Sequence, residues 1–453
     1  MNETRRLAEF AAEIRYEDLP PAVVQALKVY ILDNLAAGFV GSGTPWAQMV
    51  MGLARESAPT GSCSLFAQRE TTSPAYAALV NGTMIGGFEC DHALLPGSCH
   101  PSAAVFPAAL AVAERDHLDG ATFLAAMAAG YEVNCRVGLA ATRAVEDQRG
   151  FHGPGTNAPF GGAAGAGRAL GLDKDRFVHA LGIAGSHGAG LLEFAREGAM
   201  TKRIHVARGA QTGLESALLA AEGFTGPTTV LEGDHGFLRV YSPSPQPELL
   251  VDDLGKRYHL LDIMVKAYPC HGSFHTAIEA IWRFRQNYSL KAGELETVRI
   301  AGPERMMEER FCDRAPTSVL GAQYSLPFSA AIALCRDAGD PRSFSEETLW
   351  DSEVRSLAER IELAVDPGSS GPAWGAATEV SLTISGSSHV LTATDWKGAP
   401  SNPYVYPEMA DKFRRYAAPY LTSTGQDEII GKIERLEQLE DISDLAGLLR
   451  AGE

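Results

Sequence analysis

The feature that most constrains this fold is a series of long helical patterns whose faces are lined with alanine and glycine. "NAPFGGAAGAGRALGL" (157–172) and "GAQTGLESALLAAEGF" (209–224) are two of them. "PAVVQALKVYILDNLAAGFVG" (21–41) repeats apolar residues at three- and four-residue spacing and ends in glycine. Small residues at helical spacing let helix axes come close together. A tightly packed, all-helical body is therefore expected for the first half.

The style changes near residue 260. "LETVRIAG" (295–302), "RIELAVDP" (360–367) and "TEVSLTISGSSHVLTATDW" (378–396) alternate as strands, with turn residues between the runs. Helical patterns sit among them at "GSFHTAIEAIWRFRQNY" (272–288) and "SLPFSAAIALCRDAG" (325–339). A small α+β domain over 263–396 is expected. Helix returns in the tail with "YPEMADKFRRYAAPYL" (406–421). The expected division is 1–262 with 397–453, and 263–396, in a mainly α protein.

The 453 residues carry a formal net charge of −17, and no Lys/Arg run exceeds two. That argues against nucleic acid and anionic membranes as partners, but not against a small anionic substrate met by a few local cations. The seven cysteines are odd in number and contain no CxxC pair, so neither a disulfide scaffold nor a four-cysteine zinc site is expected. "MNETRRLAEFAAEIRYEDLP" at the start is charged and amphipathic, and the apolar run "AAVFPAALAVA" is shorter than the ~20 residues needed to cross a bilayer. No export signal or membrane span is expected, and the expected location is the cytoplasm.

Four segments carry candidate chemistry. "GFECDHALLPGSCHPSAAVFP" (87–107) places Glu89, Asp91, His92 and His100 on a loop between two helices. Acid, base and histidine on rigid shoulders suit acid/base work, whereas the spacing matches no metal signature. "GFHGPGTNAPFGGAAGAG" (150–167) puts His152 before a glycine- and proline-rich helix start. Free N–H groups there suit a carboxylate or phosphate. No strand precedes the glycines and no acidic residue follows at the dinucleotide spacing, so a Rossmann reading fails and most of the glycines are assigned to packing.

"FAREGAMTKRIHVARGAQ" (194–211) holds Arg196, Lys202, Arg203, His205 and Arg208, a basic island in an acidic chain. It fits recognition of an acidic substrate, with a solvated helix face as the alternative for Arg196 and Arg208. "KAYPCHGSFHTAIEAI" (266–281) holds Lys266, Cys270, His271 and His275. Its residues alone leave three readings open. They are a helical metal pair without the glutamate of HExxH, a Cys–His nucleophile, or Lys266 and His271 as anion-binding or acid/base groups.

Together these segments resemble the MmgE/PrpD family, which includes 2-methylcitrate dehydratase, cis-aconitate decarboxylase and iminodisuccinate epimerase. The likeness runs from "ILDNLAAGFVGSG" through the four segments to "SLPFSAAIAL" and "DKFRRYAAPYL". It implies a large all-helical domain made from both chain ends and a smaller inserted α+β domain, with the active site in the cleft between them. It also implies a homodimer and no organic cofactor. The family's site positions fall on Glu89 or Asp91, His100, His152, Lys202, Lys266 and His271. Many members read Asp-Asp-Thr-His where this chain has Glu-Cys-Asp-His. Cys270 and His275 match no functional position and are expected to pack.

The chemistry the resemblance implies is proton transfer next to a carboxylate of a small di- or tricarboxylic acid. Deprotonation there piles charge onto an anionic group, so cations such as Lys202 and Lys266 must meet it. His100 and His152 are the candidate proton carriers. Dehydratase, epimerase and decarboxylase outcomes share these needs, and "REGAMTKRIHVARGAQTGL" is closer in style to the epimerase-like members. Two other classes stand beside this one. One is a non-catalytic carboxylate binder of the same fold. The other is a metal hydrolase using His92, His100, His271 and His275.

Overall fold

The computed structural model describes residues 2–288, 294–369 and 377–450. Helices dominate, as the patterning predicts. One large apolar core gathers side chains from Leu7 through Val265 and again from Met409 through Leu449. A second joins Phe194 to residues between Ala267 and Ala393. Both chain ends thus contribute to the first core. The tail helix Tyr406–Ala417 buries Met409, Phe413 and Tyr416 on one face.

Two helices approach closely where small residues face each other, as their spacing predicts. A Cβ on Gly155 would meet His205, one on Gly209 would meet Ala158, and one on Gly213 would lie 2.5 Å from the Pro159 carbonyl. Helices Gly153–Ala169 and Lys202–Ala221 therefore run in the same direction and begin at the same end. A methyl group at Gly213 would overpack this crossing, at a cost of about 1–3 kcal/mol.

In the second core a four-stranded sheet forms from β3 (Leu295–Gly302), β4 (Ile361–Val365), β5 (Thr378–Ile384) and β6 (Ser387–Ala393), in the order β4-β3-β5-β6. β3 pairs with β4 in parallel and with β5 antiparallel. The β5–β6 hairpin turns on Ser385 and Gly386, both at positive φ (48° and 79°), as a two-residue turn with right-handed strand twist requires. Helices His275–Asn287 and Leu326–Cys335 cover the sheet region.

One expectation needs correction. The first part is not purely helical, because β1 (Cys63–Ser64) and β2 (Thr71–Thr72) form a short antiparallel ladder. Glu114 holds it by accepting from the Ser64 backbone N–H at 2.8 Å. Two-residue strands are too short to leave a periodic trace. Helix Pro21–Ser42 has the length and composition to cross a membrane, yet 83% of its most apolar window is buried inside the protein. It packs as a core helix.

Candidate active site

Three helices start around one cleft, and their local sequences say why. His100 and His152 are the residues just before helices Pro101–Arg115 and Gly153–Ala169, each with proline in the first two helical positions. Proline there loses no helical hydrogen bond and stops the chain from extending the helix backwards. Neither histidine side chain caps its own helix, so both rings remain available to the cleft. Lys202 opens the third helix. Helix N-termini bring partial positive charge to this end.

The cleft encloses a cavity of about 50 Å³, and its walls include Glu89, His100, His152, Lys202, Lys266 and His271. Sequence reasoning had named all six. Arg143, Glu146, Arg310 and Tyr324 also line it, and sequence reasoning missed these four. Among the lining residues, four cations (Arg143, Lys202, Lys266, Arg310) face two carboxylates (Glu89, Glu146). With the histidines neutral this leaves a formal +2 in a protein of net charge −17. A cationic pocket in an acidic protein selects small anions.

Glu89 and Asp91 both belong to the site, in different places. Glu89 is buried and sits at positive φ (57°), a strained backbone for a side chain with a Cβ. Its Oε1 accepts from Lys202 Nζ, and its Oε2 accepts from Lys266 Nζ at 2.8 Å. Arg203 Nη1 lies 3.6 Å from Oε1. Burial, together with Lys266 and Arg203, pushes the Lys202 ammonium well below the usual lysine range. Burial also lowers Lys266, with Asp91 opposing the shift.

Asp91 lies behind His100. Its Oδ2 is 2.6 Å from His100 Nδ1, and Lys266 Nζ is 3.9 Å from its Oδ1. Burial alone would raise this carboxyl, but His100 and Lys266 outweigh it and hold Asp91 below the usual carboxylate range. The carboxylate therefore accepts a hydrogen bond from Nδ1–H, which directs the Nε2 lone pair of His100 outward.

His152 is buried, with its Nδ1 3.2 Å from that of His205 and its ring edge-on to Phe194. Burial, then His205 and His100, hold it well below the ordinary imidazole value, so it is neutral near pH 7. On the opposite wall His271 packs against Phe311 and Tyr324, and its Nδ1 accepts weakly from the Ser273 N–H at 3.4 Å. Burial, then the nearby arginine and lysines, keep it neutral as well.

Gln323 joins the two walls. Its Oε1 accepts from Arg203 at 2.9 Å, its Nε2 donates to the Phe88 carbonyl at 2.9 Å, and its backbone carbonyl accepts from the His271 N–H at 2.9 Å. The basic island divides accordingly. Lys202 and Arg203 are buried at the site, whereas Arg196 and Arg208 are exposed on the solvated face.

The metal and thiol readings of "KAYPCHGSFHTAIEAI" gain no support. His275 is fully buried between Tyr268 and Trp396, away from the cleft, and burial pushes it down to about 3. Burial pushes the Cys270 thiol up to about 12, and its side chain fills the second core. His92 is committed to Asp33 at 2.7 Å and to Tyr131 at 2.8 Å. Among the described residues no three His, Cys, Asp or Glu side chains converge as a metal site would require.

The chain is similar to known proteins along most of its length. The family model for the MmgE/PrpD N-terminal domain matches residues 5–250, and that for the MmgE/PrpD C-terminal domain matches residues 268–438. The chain is 27% identical over 475 residues to the cis-aconitate decarboxylase-like protein oryM of Aspergillus oryzae, spanning 99% of this chain and 97% of that protein. It is 26% identical over 472 residues to a cis-aconitate decarboxylase of Aspergillus terreus, spanning 98% of this chain and 95% of that one. The human cis-aconitate decarboxylase is 29% identical over 442 residues, spanning 95% of this chain and 91% of its own length.

Proposed function

The chain belongs to the MmgE/PrpD family, and we propose that it is a lyase or isomerase that moves a proton next to a carboxylate of a small di- or tricarboxylic acid, without an organic cofactor. The observation that carries this reading is the Asp91–His100 dyad opening into a cleft where four cations face two carboxylates.

The roles follow from the geometry. Lys202, Lys266, Arg143 and Arg310 hold the substrate carboxylates and meet the negative charge that develops beside them. Glu89, gripped by both lysines, keeps them in place. His100 Nε2 exchanges the proton with substrate carbon, and Asp91 stabilises the imidazolium that forms. His152 and His271, both neutral, supply hydrogen bonds across the cleft.

Decarboxylation of a cis-aconitate-like tricarboxylate is the leading outcome, supported by the relatives named above. The carbon–carbon bond to the departing carboxylate breaks, and its electron pair passes into the adjoining unsaturated carboxylate system. Carbon dioxide leaves as that bond breaks, and His100, having taken a proton from solvent, donates it from Nε2 to carbon. Dehydration and epimerisation use the same cationic grip but begin with neutral His100 removing a proton from carbon, and remain the alternatives. In this reading residues 1–262 and 397–453 form one domain, 263–396 form the other, and a homodimer is the working assembly.

The test is a panel of di- and tricarboxylates followed by NMR, with carbon dioxide release measured in parallel. Decarboxylation of cis-aconitate supports the leading outcome. Loss of water or inversion at carbon with another member of the panel selects an alternative. Saturable binding without turnover of any of them overturns the catalytic reading in favour of a carboxylate-binding protein.

A further inference from the structure

The fold buries a further lysine outside the cleft wall. Lys412, on the tail helix Tyr406–Ala417, is 3% exposed and does not line the cleft wall. Its Nζ donates to Asp33 Oδ1 at 2.6 Å and to the backbone carbonyl of Lys266 at 2.7 Å. The rings of Tyr416 and Tyr404 pack around the ammonium, at 5.3 and 5.9 Å. The pair thus joins the tail helix to helix Pro21–Ser42, and both to the short segment that carries a cleft lysine.

The contacts continue toward the other half of the site. Asp33 Oδ2 accepts from His92 Nδ1 at 2.7 Å. Asn34 Nδ2 donates to the Tyr131 hydroxyl at 3.0 Å, and that hydroxyl lies 2.8 Å from His92 Nε2. With Asn34 donating, the tyrosine O–H is directed to Nε2, which fixes the His92 proton on Nδ1, toward Asp33. Ser102 Oγ lies 3.2 Å from the His92 carbonyl and 3.3 Å from Asp91 Oδ2. One buried chain of polar contacts therefore runs from the Lys266 backbone to the Asp91–His100 dyad.

We infer that Lys412 and Asp33 are a positioning pair that sets the place of Lys266 relative to the Asp91–His100 dyad. The inference rests on the function proposed above, and it adds a role for the C-terminal tail that the cleft residues alone do not reveal. Neither residue reaches the cleft space, so their effect on rate passes through the Lys266 backbone and the His92 loop. A displacement of about 1 Å at a reacting centre costs up to roughly 100-fold in rate.

The test compares Lys412→Met with the double variant Asp33→Asn/Lys412→Met. The single variant leaves a buried carboxylate without its cation and loses thermal stability. The double variant removes both charges and regains most of that stability. Its kcat stays roughly 10- to 100-fold below wild type with KM within about threefold, and amide exchange over residues 262–272 quickens while exchange elsewhere does not. A double variant with restored stability, wild-type kcat and unchanged exchange over 262–272 makes the pair merely structural and overturns the inference.

Should the methionine variants fail to accumulate, Lys412→Arg reads the same contact. Its planar fork cannot reproduce both bonds from one ammonium, so kcat falls with little change in KM, and an unaltered kcat overturns the inference. Should wild type turn over no polycarboxylate, the functional reading fails and the exchange arm alone decides. Faster exchange over 262–272 sustains the positioning role, and unchanged exchange removes it.

Discussion

Asp91 Oδ2 and His100 Nδ1 lie 2.6 Å apart, the carboxylate buried and the imidazole at the cleft wall. The contact fixes which ring nitrogen of His100 faces the cleft. Asp91→Asn keeps the shape but removes the charge that stabilises imidazolium, and its amide can present a donor to Nδ1. We expect kcat to fall by about 100-fold or more, with KM changed far less. Steady-state kinetics checks this, and a wild-type kcat for the asparagine variant removes the dyad from the mechanism.

Glu89 is the only carboxylate in contact with both Lys202 and Lys266 among the described residues. Glu89→Gln leaves two adjacent buried ammonium groups with Arg203 close by. The expected loss is about 3–5 kcal/mol of stability. A di- or tricarboxylate bound in the cleft supplies the missing negative charge. We therefore expect a larger rise in Tm on adding such a ligand to the variant than to wild type. Thermal melts with and without ligand measure both effects, and an equal rise in the two proteins contradicts the placement of the lysines as substrate-binding groups.

Stability should fall on mild acidification. Burial holds His152, His205, His271 and His275 below the ordinary imidazole value, His205 at about 4 and His275 at about 3. The unfolded chain binds these protons near pH 6.5. Between that pH and the folded values the unfolded state holds more protons, so stability rises with pH there and is lost as pH falls. Tm should drop steadily from pH 7 to pH 5. His275→Leu removes one such group outside the cleft and should shrink the drop, and an unchanged drop would show that His275 does not contribute.

The fold was legible wherever a pattern was long enough to repeat. The glycines at 209 and 213 announced the helix crossing that brings His152 and Lys202 together. The two-residue ladder at Cys63 and Thr72 had no room for a period to show. Six cleft residues were legible because they sit at helix starts or in segments whose residue types stand out. Arg143 and Glu146 form an ordinary-looking i,i+3 pair, and Arg310 lies in a charged run that reads as solvated. Their places in the cleft depend on how the chain folds back. Choosing between Glu89 and Asp91 also needed three dimensions. Two positions apart in sequence, one is gripped by lysines and the other backs a histidine. Lys412 looked like one more charge on an amphipathic tail helix, and only its contact with the Lys266 carbonyl distinguishes it.

The central claim is proton transfer to or from carbon beside a carboxylate, and isotope exchange tests it most directly. Wild type, His100→Gln and Lys202→Met would each be incubated in deuterated water with cis-aconitate and related di- and tricarboxylates, and carbon-bound deuterium followed by NMR. The account predicts stereospecific deuterium at one carbon of substrate or product with wild type, and loss of at least about 100-fold of that rate in each variant. No carbon-bound deuterium with any of these acids, or full rate in both variants, would contradict it.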